Sequence, residues 1–171
     1  MSANEAAWTD LPGGGRIRPA EPKDLPPLAA LVRELAEYER LADQAVATLD
    51  DLHAAFFGPR PRAHALMIET DGEAVGVAVY FYNFSTFAGR AGIWVEDIYV
   101  RPEFRRRGLA RAVFQYLARK AVAEGCARME WSVLNWNEPA ICFYESLGAV
   151  PLSAWTTERL SGAALTDFAK G

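Results

Sequence analysis

The stretch Gly92-Ile93-Trp94-Val95-Glu96-Asp97-Ile98-Tyr99-Val100-Arg101-Pro102-Glu103-Phe104-Arg105-Arg106-Arg107-Gly108-Leu109-Ala110 changes character twice. Its first part, through Val100, is β-branched and aromatic apart from one acidic pair, which is the composition of a buried strand. Three arginines and a glycine follow Pro102, and Ala112 to Ala118 is amphipathic with a helical period. The order is strand, basic loop, helix. Backbone amides at a helix start converge on one spot, and the helix dipole favours an anion there. Gly108 removes a side chain where a phosphate would approach the main chain. A dinucleotide fingerprint G-x-G-x-x-G and a P-loop ending in Gly-Lys-Ser/Thr are both absent. On these residues alone, a pyrophosphate cradle stands beside the simpler reading of a basic, solvated turn.

Working outward, Met1 to Gly15 ends in Leu11-Pro12-Gly13-Gly14-Gly15 and lacks periodicity, so it reads as a flexible leader (1–15) ahead of a single domain over 16–171. Arg16 to Ala20 reads as an edge strand ended by Pro19. Asp24 has the chemistry of an N-cap, with Pro26 and Pro27 in the first turn, and Leu28, Leu31, Val32, Leu35 and Tyr38 recur at helical spacing. Thr48-Leu49-Asp50-Asp51 is a capping box for a second helix that stops at Gly58-Pro59. Ala65–Glu69 and Ala74–Phe81 flank Asp71-Gly72 as a hairpin. Arg128–Leu134 reads as a strand, Glu138–Leu147 as a helix closed by Gly148, and Val150 to Phe168 as a last hairpin. The fold class is α/β, a mixed and mostly antiparallel sheet of six or seven strands with helices on both faces.

Composition narrows the function. Hydrophobic residues make up 51% and charged residues 23%, a globular balance. No apolar run reaches the roughly 18 residues of a membrane span, and no export signal precedes the first strand. Two cysteines, Cys126 and Cys142, point to a reducing compartment and hence a cytoplasmic protein. His53 and His64 lack the spacing of a metal site. A net charge of −4 disfavours nucleic acid and suits a cationic substrate.

Arg105-x-x-Gly108-x-Ala110 resembles the R/Q-x-x-G-x-G/A signature with which GNAT-superfamily N-acetyltransferases bind the pyrophosphate of acetyl-CoA. Ile17-Arg18-Pro19-Ala20, Glu34-Leu35-Ala36-Glu37-Tyr38-Glu39, Glu96-Asp97, Trp136-Asn137-Glu138-Pro139 and Phe143-Tyr144 resemble the spermidine/spermine (diamine) branch, in the same order over residues 17 to 160. The resemblance implies a GNAT fold, acetyl-CoA as acyl donor, no metal, a small diamine or polyamine acceptor and a homodimer. A protein or amino-acid acceptor, and a non-catalytic acyl-CoA sensor, are the alternatives.

Site residues follow. Alternation puts Glu96 with Ile98 and Val100 on one face and Asp97 with Tyr99 on the other, unless a bulge re-aims them. An ammonium must lose a proton before it attacks a thioester, and the resemblance gives that task to Glu96. It also implies that backbone amides of Ile98, Tyr99 and Val100 hold the pantetheine arm and polarise the thioester, with Arg105, Arg106, Arg107, Gly108, Leu109, Ala110 and Arg111 on the pyrophosphate. Asn137 and Tyr144 return to about the same helix face at about 100° per residue. By resemblance Asn137, Pro139 and Ala140 meet the cofactor, and Tyr144 protonates the departing thiolate. Cys142 sits about 200° round the helix from Tyr144 in steps of about 100°, which favours direct transfer over an acetyl-cysteine route. For the amine, the resemblance points to Tyr38, Glu39, Glu96, Asp97, Glu130, Trp131 and Ser132, aromatic faces and carboxylates that suit a polyammonium chain. For Trp131 a plain core role is equally open.

Overall fold

The computed structural model describes residues 9–11 and 14–171, which fall into two compact units, Met1–Ser132 and Val133–Gly171. Leader positions 1–8 and 12–13 lie outside the described residues.

The first unit is a six-stranded sheet in the order β1-β2-β3-β4-β5-β6, with three helices. Its strands are β1 (Thr9–Asp10), β2 (Gly15–Pro19), β3 (His64–Thr70), β4 (Glu73–Ser85), β5 (Arg90–Val100) and β6 (Met129–Trp131). All neighbours are antiparallel except β5 and β6, which run parallel. Thr9 and Asp10 pair with Ile17 and Arg16, so part of the expected leader is a strand and β2 is internal to the sheet. Asp71 (φ 52) and Gly72 (φ 81) are both left-handed, the two-residue turn that matches strand twist and joins β3 to β4.

Helix α1 (Leu25–Tyr38) buries Leu28, Leu31 and Leu35 against Ala65, Met67, Val77, Val79 and Tyr99 of one sheet face. Helix α2 (Leu49–Phe57) starts at the expected box, with Asp51 N donating to Thr48 Oγ1 (3.1 Å) and Thr48 N to Asp51 Oδ2 (2.9 Å). Alternate strand residues such as Leu66, Ile68 and Ala78 turn to the opposite face, and α3 (Leu109–Ala123) packs against β5 through its own buried stripe of Val113, Phe114 and Leu117. The expectation for Asp24 is only half met. It precedes α1, but its carboxylate takes no α1 amide and binds Arg18 through both oxygens (2.6 and 2.8 Å). Glu69 joins Arg18 at 2.5 Å and also pairs with Arg16.

In the second unit, α4 (Glu138–Glu145) opens at Asn137, whose Oδ1 accepts from Ala140 N at 3.4 Å, and the chain reverses at Gly148 (φ 87). The hairpin expected over Val150 to Phe168 is not formed. No strand lies beyond β6 among the described residues, and Gly162–Phe168 is a helix, α5. Apolar alternation favours a strand only where an edge offers hydrogen bonds, and Pro151 itself lacks a donor. β6 is likewise shorter than the expected Arg128–Leu134.

Candidate functional site

The uncovered half of β5 is the centre of the site. Val79 pairs with Asp97 while Tyr80 pairs with Val95, so Glu96 is an extra residue and β5 bulges there. Before the bulge, Ile93 to Val95 pair with Met129 to Trp131 of β6; after it, no strand pairs with that edge among the described residues. Arg101 N donates to Val75 O (3.0 Å). By the alternation of an antiparallel ladder, Tyr99 and Asp97 then direct their amides at β4, and Ile98 and Val100 direct theirs at the open edge. The Val100 carbonyl lies on that edge too, where Arg105 Nε donates to it at 2.8 Å.

The bulge also sets the carboxylates. Glu96 is exposed and accepts a hydrogen bond from Trp94 Nε1 at 2.9 Å. Asp97 is half-buried on the α1 face, beside Tyr99 in the alternation. Burial, reinforced by the negative charges of Glu96 and Glu39, pushes its pKa up to about 6. Burial also raises the pKa of Glu39, the residue that follows α1. Glu96 and Glu39 therefore both lie within electrostatic reach of Asp97, where α1 ends over β5. The hydrogen-bond partner of Glu96, Trp94, was readable as its i−2 neighbour on the same strand face and was missed.

From Val100 the chain passes through a 3-10 turn, Pro102–Phe104, into the arginine loop. Arg105 N is used by Pro102 O (3.2 Å), and the next helical amide bond is Ala112 N to Gly108 O (3.0 Å). Between them lies the first turn of α3, whose amides have no intrahelical acceptor. Gly108, at the N-cap, has φ 79 and no side chain to cap them. A Cβ built on Gly108 meets no heavy atom within 4 Å, so the space beside the N-cap is open. Arg106, Arg107 and Arg111 are exposed. Leu109 is buried and Ala110 half-buried, so each offers main chain alone. This arrangement fits a diphosphate: converging donors, a positive helix end and flanking cations.

Arg105 behaves differently from its neighbours. Its guanidinium carbon lies 4.6 Å from the centroid of the Tyr38 ring and 5.6 Å from that of Tyr99, so it turns inward under α1. Arg107 crosses the Phe104 ring at 5.1 Å and reaches Glu103 O at 3.2 Å.

Two of the residues expected at the amine have other partners. Glu130 accepts from Asn83 Nδ2 (2.9 Å) and pairs with Arg128 (2.7 Å). Trp131 is half-buried and packs edge-on against Phe114 of α3, with centroids 4.8 Å apart. Ser132 is exposed at the end of the unit. In the second unit, Tyr144 lies on α4 beside Phe143, Pro139 occupies its first turn, and the Asn137 side chain caps the helix.

Residues 28–149 match the Acetyltransferase (GNAT) family. The chain is 37% identical to a thialysine N-epsilon-acetyltransferase of Bos taurus, over 90% of this chain and 96% of that protein. It is 30% identical to an L-ornithine N5-acetyltransferase of Arabidopsis thaliana, over 91% of this chain and 88% of that protein. An integron cassette protein of V. cholerae has the same fold, with a TM-score of 0.79 over 92% of this chain and 99% of that one at 23% identity. With the open strand edge, the amide-lined loop and these likenesses together, the chain belongs to the GNAT acetyltransferase family and is an acetyltransferase.

Proposed function

We propose that the chain transfers an acetyl group from acetyl-CoA to a primary amine of a small diamine, a thialysine-, ornithine- or polyamine-like cation, by direct attack in a ternary complex. The observation that carries the choice of acceptor is the meeting of Glu39, Glu96 and Asp97 at the open half of β5, which gives a molecule with more than one ammonium a negative surface to bind. Relatives named for thialysine and for ornithine acetylation, both amino acids with a second amine, support the same class.

The amides of Gly108 to Arg111 receive the pyrophosphate, with Arg106, Arg107 and Arg111 at its rim. The Ile98 and Val100 amides receive the pantetheine arm and the thioester oxygen. One proton of the ammonium passes to the Glu96–Asp97 pair, the freed nitrogen attacks the thioester carbonyl carbon, the carbon–sulfur bond breaks, the sulfur takes a proton for which Tyr144 is the donor, and the nitrogen sheds a second proton to solvent, from which Tyr144 recovers its own. Within the pair, Glu96 is the outward acceptor and Asp97, with a pKa about 6, is the member whose charge changes in the working range. A homodimer in the cytoplasm completes the reading.

A thiol-release assay with acetyl-CoA decides it, run against thialysine, ornithine, 1,3-diaminopropane, spermidine and a panel of peptides. Release with one or more diamines and none with peptides supports the proposal. Release with peptides alone overturns the acceptor class, and tight CoA binding without release for any amine makes the chain a sensor.

A further inference from the structure

The signature arginine of the loop, Arg105, turns away from its exposed neighbours and lies against Tyr38 and Tyr99. Arg101 and Arg105 flank the Pro102–Phe104 turn, and both reach α1. Arg101 forks onto Glu34 (2.9 to 3.2 Å) and also holds Glu73 at 2.9 Å. Arg105 lies over Tyr38, four residues after Glu34 and so on the same helix face. Two arginines one turn apart thus grip two α1 residues one turn apart. Immediately past Arg105 the backbone enters the left-handed region at Arg106 (φ 61), a conformation costly for a residue with a Cβ and held only where both flanks are fixed. Helix α3 fixes one flank. Arg105, through Val100 O and two aromatic rings, fixes the other.

We propose that Arg105 is a positioning residue for the amine and not a ligand of the pyrophosphate. It ties the end of α1, with Tyr38 and Glu39, to the open edge of β5 at Val100, so the surface that binds the diamine is set at a fixed distance from the thioester. It also occupies one face of the Tyr38 ring. The inference rests on the acetyl-transfer reading above.

Four variants separate this role from phosphate binding. Arg105→Gln should raise KM for the best diamine of the panel about tenfold while changing the calorimetric Kd for coenzyme A less than about threefold and leaving the salt dependence of that Kd as in wild type. Arg105→Lys should behave like the glutamine variant, because a point charge supplies neither the flat stack nor the Nε contact, whereas a phosphate ligand would be rescued by lysine. Tyr38→Ala, which leaves the loop sequence untouched, should reproduce the KM effect, and the Arg105→Gln/Tyr38→Ala double variant should add little to it. A loss of CoA affinity with a flatter salt dependence in Arg105→Gln, restored in Arg105→Lys, overturns the proposal; so does a wild-type amine KM in Tyr38→Ala. Absence of heat between the wild-type chain and coenzyme A is a separate result, which removes the acetyl-transfer reading and this inference with it.

Discussion

A carboxyl that burial and two like charges hold near pKa 6 changes charge in the range where an acetyltransferase is assayed, and Asp97 is that carboxyl. Activity that needs its anionic form rises with pH through about 6 and then levels. Asp97→Asn is expected to remove this acidic limb from the kcat/KM profile, while Glu96→Gln lowers the rate, most at low pH where the amine is charged, and keeps the limb but shifts it to lower pH, because one of the charges that raises the Asp97 pKa is gone. A profile in which Glu96→Gln alone abolishes the limb assigns the titration to Glu96. The same shift has a sign in stability. The folded chain holds this proton more tightly than the unfolded one, so the contribution of Asp97 is full below about pH 4 and is lost as pH rises through about 6. Asp97→Asn should accordingly raise Tm at about pH 8 and leave it nearly unchanged at about pH 4, which calorimetry at both values checks.

At the scale of elements, the Arg18–Asp24–Glu69 network ties the start of α1 to β2 and β3. Arg18 holds the Asp24 carboxyl below its usual range. Asp24→Ala leaves the mostly buried Arg18 with one acid fewer and should cost about 3 kcal/mol in urea unfolding. Because the folded pKa is depressed, that cost is present above about pH 4 and shrinks as pH falls through the folded value. Thr48→Ala removes a cap from exposed α2, a smaller loss of about 1 kcal/mol by the same measurement. These two sites also mark how far the sequence could be read. The Thr48 box, the Asp71-Gly72 turn and the period of α1 are local, and local chemistry reports them. Asp24 was legible as a residue near a helix start but not as the partner of Arg18, which lies across two elements. The Val150 to Phe168 stretch reads as a last hairpin from local signals, yet a strand exists only with a partner edge, and no residue in the stretch names one. Within the site, the carboxylates and the Gly108 loop were legible from residue type and order. The Glu96 bulge and the inward turn of Arg105 depend on register and on packing under α1, which spacing along the chain does not encode.

For the whole molecule, the two units differ in what they expose. Residues 150–161 are exposed and without regular structure, and Arg159 is the basic residue among them. Brief trypsin treatment followed by mass spectrometry should find the first cut after Arg159, with slower cuts after Arg106 and Arg107 that acetyl-CoA suppresses. A first cut inside β3, β4 or β5 contradicts this order. Deleting Glu96 would return β5 to an unbroken ladder, since Val95 and Asp97 already pair with adjacent residues of β4. The amides of Ile98 and Val100 and the whole of the arginine loop keep their places in such a chain. On the roles proposed above, chemistry and donor capture would then come apart in a single edit, yielding a receptor for the thioester that turns over more slowly and is one residue shorter than the enzyme.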